Sequence, residues 1–139
     1  LGIGNELNGD DAAGVQVARR LKARGGTEGL LVFDAGLAPE NFSGPLRRAQ
    51  PALVLLVDAA EMGAQPGAVQ PLDWRDAAGF GPSTHLQPLA TLGEYLDSEL
   101  GCRVLLLGIQ PARLDFDAPL SPEVERAVED VVGGILEMV

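Results

Sequence analysis

Ala52-Leu53-Val54-Leu55-Leu56-Val57 is apolar at every position, and Val104-Leu105-Leu106-Leu107 repeats the pattern. Successive side chains of a strand point to opposite faces, so an unbroken apolar run needs cover on both. That is the condition of a parallel sheet held between two layers of helices. Composition agrees, since 46% of residues are hydrophobic and only 4% aromatic, which predicts an aliphatic core. A length of 139 residues fits a single domain spanning 1–139.

The rest of the chain supplies the other elements. Leu1–Ile3 reads as the end of a first strand, and Gly4 to Gly9 as a polar loop. Asp10 or Asp11 is placed to cap a helix, because a carboxylate accepts from the free N–H groups of a first turn. In that helix Gly14, Val17, Ala18 and Leu21 share a face, Arg19, Arg20 and Lys22 point outward, and Gly25-Gly26 ends it. Leu30–Phe33 predicts a second strand, closed by Asp34-Ala35-Gly36. Pro39 opens a short helix toward Arg48 that Gly44-Pro45 should make irregular.

After the strand at 52–57, the turn Gln65-Pro66-Gly67 leads to a fourth strand in Ala68–Trp74. Ala59–Gly67 is too short for a helical crossover, so this strand should run antiparallel at an edge. Gln87–Leu100 carries Leu89, Leu92, Gly93, Leu96 and Leu100 on one helical face. After the strand at 104–107, Ser121 and Pro122 open a last helix with a stripe of Val124, Ala127, Val128, Val131, Ile135 and Met138. The order β-α-β-α-β-β-α-β-α predicts a three-layer α/β/α sandwich.

Charge and cysteine usage exclude several functions. Ten basic and 20 acidic residues give a net charge of −10, a surface that repels phosphate backbones, so no nucleic acid partner is expected. The basic pair Arg47-Arg48 is too small to reverse this. One cysteine, Cys102, allows neither an internal disulfide nor a cysteine-rich zinc site, and it is expected to be structural. No apolar run reaches the ~20 residues of a membrane span. A cytoplasmic protein is expected. Because the sequence opens at Leu1 inside an apparent strand, a few further residues are expected ahead of it.

Three separated residues carry the chemistry. Asp11 follows the first strand, Asp58 closes the third, and His85 is the single histidine, in Pro82-Ser83-Thr84-His85. With the first strand between the second and third, a crevice opens beyond the strands' carboxyl ends. Both carboxylates should face it, and His85 can close the third side. Two neighbouring carboxylates in a partly buried site need a proton, hydrogen bonds or a cation. Two oxygens and one nitrogen suit zinc, nickel or a similar divalent ion. Duller alternatives stay open on this evidence: the acids as helix cap and loop anchor, the histidine as an ordinary loop residue. Asp34 is expected at the rim, orienting loop backbone.

Gly2-Ile3-Gly4-Asn5 with Gly9-Asp10-Asp11-Ala12-Ala13-Gly14 resembles the opening motif of the [NiFe]-hydrogenase maturation endopeptidases. Val57-Asp58-Ala59-Ala60-Glu61-Met62-Gly63 with Pro66-Gly67 resembles their second motif. Ser83-Thr84-His85-Leu86-Gln87-Pro88-Leu89 and Gly108-Ile109-Gln110-Pro111 resemble the third and fourth, in the form closest to the formate-hydrogenlyase branch. The resemblance implies a mixed five-stranded sheet in the order 2-1-3-5-4, with strand 4 antiparallel. It implies an endopeptidase that removes a C-terminal extension from a hydrogenase large-subunit precursor after nickel insertion, cutting after a basic residue. Asp11, Asp58 and His85 would then be its metal-binding and catalytic residues. The metal would be the precursor's nickel, with zinc or another divalent ion as a substitute.

Two rivals belong to other classes. A phosphoacceptor receiver domain also places acids after strand one and at the end of strand three, as Asp10, Asp11 and Asp58 do. It needs a lysine after its last strand, and Ile109–Leu114 contains none. A noncatalytic nickel chaperone with the same three ligands would leave a precursor uncut.

Overall fold

The structure, a computed structural model, describes residues 1–25, 27–79 and 86–139. Its strands are β1 (Gly2–Ile3), β2 (Asp34–Gly36), β3 (Leu53–Ala59), β4 (Val69–Leu72) and β5 (Arg103–Ile109). Its α-helices are α1 (Ala13–Ala23), α2 (Ser43–Ala49), α3 (Leu86–Ser98) and α4 (Pro122–Met138). Short 3-10 turns at Gly9–Ala12, Pro39–Phe42 and Trp74–Gly79 lead into α1, into α2 and out of β4. The sheet order is β2-β1-β3-β5-β4, with β4 antiparallel to β5 and the other pairs parallel. Fold class and the direction of strand 4 are those the sequence predicts, and the strand order is the one the family resemblance implies.

The two apolar runs form the centre. β3 and β5 pair in register from Leu53–Arg103 to Ala59–Ile109. Val54, Leu56 and Leu106 pack under α2 and α3 with Leu46, Leu89, Leu92 and Leu96. Val57, Ala59 and Ile109 face α1 and α4 with Val17, Leu21, Val124, Val128 and Val132. Two cores on opposite faces of one sheet explain why these strands show no polar alternation. No helix separates β3 from β4, as the short connection requires. Among the described residues no helix is long and apolar enough to cross a membrane.

Several boundaries differ from expectation. Leu30–Phe33 is not strand; β2 begins at Asp34, and Leu31 is 65% exposed. β1 presents only Gly2 and Ile3 for pairing, with Asp34 and Gly36, and Phe33 contributes a single bond from the Gly2 N–H. Hydrophobic residues without a strand alongside cannot form a ladder. β4 stops at Leu72 because Trp74 turns inward, its indole lying where a Cβ on Gly93 of α3 would be. Met138 was expected in the buried stripe of α4 and is 75% exposed, at the helix's last residue and past the edge of the core that Ile135 still joins.

Candidate functional site

Glycines set how closely α1 approaches the sheet. A Cβ on Gly14 would lie 2.1 Å from the Val57 carbonyl oxygen and 2.4 Å from that of Ile3. A Cβ on Gly2 would meet the Gly14 carbonyl at 2.1 Å. Only bare backbone fits, so the first turn of α1 rests directly on β1 and β3. Gly4, at φ +143°, similarly abuts the Asp11 carbonyl. The 3-10 turn Gly9–Ala12 is thereby packed on β3, whose penultimate residue is Asp58.

The two sequence-derived acids stand at the carboxyl edge of the parallel strands. Asp11 is partly buried in the turn after β1, and its Oδ2 accepts from the Asn5 N–H at 3.1 Å. Asp58 is 1% exposed, opposite Gly108 in the β3–β5 ladder, on the sheet face of Val54 and Leu56. α3 covers that same face. It ends at Ser98, just before β5 begins at Arg103, so its last turn lies at the amino edge of the sheet. Its 13 residues span about 20 Å, close to the length of a seven-residue strand, which brings its first turn back to the carboxyl edge. His85, the third residue of the expected triad, lies outside the described residues, as do Ser83 and Thr84.

Asp10 does not cap α1. It is fully buried, and its carboxylate reaches the segment after β5. Oδ2 accepts from the N–H groups of Ala112 at 2.8 Å and Arg113 at 3.1 Å and from the Ser121 hydroxyl at 2.8 Å. Oδ1 accepts from the Ser121 N–H at 2.7 Å. Burial pushes this carboxyl's pKa up, but the bonds from Ser121, Ala112 and Arg113 outweigh it and hold the pKa below the ordinary value. Neither acid makes a side-chain cap, and the turn enters α1 through Ala12.

Gln110 is a polar anchor that the sequence reading passed over as part of a motif. It is 3% exposed; its Oε1 accepts from the N–H groups of Met62 at 2.7 Å and Ala64 at 3.3 Å, and its Nε2 donates to Glu61 Oε2 at 2.9 Å. The loop after Asp58 is thus tied to the end of β5. A glutamine directly after an apolar strand was the signal available.

A cleft of about 310 Å³ opens at Asn5, the residue whose N–H donates to Asp11. It lies between the loop after β1 and the end of β2, with Asn5, Glu6, Leu7, Arg19, Asp34 and Leu37 among its walls. Arg19 spans it, donating to Asp34 Oδ2 at 2.9 Å and pairing with Glu6 Oε2 at 2.7 Å. Asp34 lines this cleft, and its carboxylate holds the Arg19 guanidinium rather than the loop backbone expected of it. Cys102 is buried, its Sγ donating to the Leu96 carbonyl at 3.4 Å, and burial raises its pKa. That environment suits the structural role expected of it.

Residues 15–138 match the family described as hydrogenase maturation protease. The chain is 38% identical to the hydrogenase 3 maturation protease of Escherichia coli K12, over 94% of this chain and 83% of that one. Among solved structures, the crystal structure of a [NiFe] hydrogenase maturation protease, HycI, from Thermococcus kodakarensis superposes with a TM-score of 0.88 at 34% identity, covering 98% of this chain and 87% of that one. The solution structure of the endopeptidase HycI from Escherichia coli superposes with a TM-score of 0.81 at 34% identity, covering 94% and 83%.

Proposed function

This chain belongs to the hydrogenase maturation protease family, and from that premise we propose that it removes a C-terminal extension from a [NiFe]-hydrogenase large-subunit precursor once nickel is in place. Asp11, Asp58 and His85 recognise that nickel. The substrate class is the precursor of a formate-hydrogenlyase-type hydrogenase, and the protein works in the cytoplasm.

The observation that carries this reading is the position of Asp58. A carboxylate 1% exposed at the carboxyl end of the central strand, beside the turn that holds Asp11, sits where α/β sheets bind ligands. The first turn of α3, which follows His85 directly in sequence, lies at the same edge of the sheet on the face that Asp58 shares. Two carboxylates and an imidazole suit a borderline divalent ion such as nickel, and zinc would be accepted in its place.

The chain's own part in the reaction is placement. Asp11 and Asp58 supply anionic oxygens to a cation carried by the substrate, which fixes the nearby peptide bond relative to the protein. The substrate's ion supplies Lewis acidity toward a carbonyl or a water. No serine or cysteine nucleophile is assigned. The test is mass spectrometry of the nickel-loaded precursor after exposure to wild type, Asp58→Ala and His85→Ala. Wild type should shorten the precursor's C-terminus, and both variants should leave it intact while keeping their circular dichroism. Normal processing by both variants refutes the reading. A precursor left intact by wild type points to the chaperone alternative.

A further inference from the structure

We propose that Asp10 is a positioning residue that sets the place of Asp11 by bolting its turn to the start of α4; the proposal rests on the reading of Asp11 as nickel-facing.

Asp11 sits in a turn of only four residues, Gly9–Ala12, where its Oδ2 accepts from the Asn5 N–H. Asp10 ties that turn to the segment after β5. The Asp10 carboxylate collects four hydrogen bonds from Ala112, Arg113 and Ser121, and its N–H donates to the Arg113 carbonyl at 3.0 Å. Gly9, at φ +55°, lets the backbone come so near that a Cβ there would lie 2.9 Å from the same carbonyl. Ser121 is the N-cap residue of α4, yet its hydroxyl is given to Asp10 and makes no cap bond. A helix end that gives up its ordinary cap to hold a buried carboxylate has been built around that carboxylate.

The opposite side of the turn rests on β1 and β3 through Gly4 and Gly14. The turn therefore has a steric seat on one side and an electrostatic bolt on the other, and Asp11 is the residue beside the bolt. Asparagine at position 10 is nearly the same size but cannot substitute. Donors approach both carboxylate oxygens, so the Asn amide would aim its NH2 at an N–H in either orientation. The turn must then shift, and Asp11 shifts with it.

The experiment compares the processing of a nickel-loaded precursor by Asp10→Asn, Ser121→Ala and Val128→Ala, at a temperature where thermal melts show each fully folded. Val128 lies in the core of α4 away from the site and controls for lost stability. Asp10→Asn should raise KM for the nickel-loaded precursor at least tenfold. Ser121→Ala should raise it two- to fivefold, because the Ser121 N–H and the Ala112 and Arg113 bonds survive. Val128→Ala should leave KM at the wild-type value. Equal KM for Asp10→Asn and Val128→Ala overturns the proposal and leaves a purely structural tie. Asp11→Asn run in parallel separates the two readings: if it processes at the wild-type rate, the nickel-facing role of Asp11 fails and this proposal with it. If it is impaired while Asp10→Asn is normal, only this proposal fails.

Discussion

Asp10 and Asp11 are neighbours in the chain and opposites in surroundings. One is sealed from solvent with four donors on its carboxylate; the other is only partly buried. From sequence they were interchangeable as helix caps, because the partners of Asp10 lie 102 to 111 positions away and no local pattern reports them. Glycine is the other residue type that the structure uses closely. Gly14→Ala would drive a methyl into two strand carbonyls, neither of which can move without breaking the sheet. The expected cost is at least about 3 kcal/mol, read by urea denaturation. Gln110→Ala would strand the Met62 and Ala64 N–H groups that now meet its Oε1. A loss of about 2–3 kcal/mol is expected by the same assay.

Helices α1 and α4 are joined across their outer surface as well as through the core. Arg20 pairs with Glu125 at 2.7 Å and with Glu129 at 2.5 Å, and Arg24 also pairs with Glu129. The bonds from Arg20 and then Arg24 hold the Glu129 carboxyl below its ordinary pKa. A depressed carboxyl pKa stabilises the folded state above the unfolded value of 4.5, and that contribution fades as pH falls through the lower folded value. Glu129→Gln should therefore lower Tm slightly at neutral pH in low salt. The difference should shrink at 1 M salt and again below about pH 4, as scanning calorimetry can show. At this scale the sequence was most legible where one element answers to its own composition. The all-apolar strands and the leucine spacing of α3 are such cases. β2 was misplaced because strand assignment depends on a partner: Leu30–Phe33 has the composition, but Asp34–Gly36 has β1 alongside. Of the candidate site, Asp11 and Asp58 were legible as acids that follow a strand and end one; His85 lies outside the described residues, and the anchors Asp10 and Gln110 were not legible.

Across the whole molecule, stability should be graded from the centre outward. β3 and β5 share a seven-residue ladder covered on both faces, while β2 and β4 are short and marginal in position. Amides paired within 53–59 and 103–109 should exchange hydrogen slowest, at rates set by global unfolding. Those of 69–72 should exchange earlier through local opening, and mass spectrometry after timed labelling will rank them. Uniform rates over both sets would contradict this gradient. β4 also carries Pro71, which has no N–H. A proline in the outermost strand deprives a second chain of a donor it would need to extend the sheet. The margin of the sheet next to the central ladder is thus a poor template for polymer growth, and the protein should resist fibril formation even when concentrated.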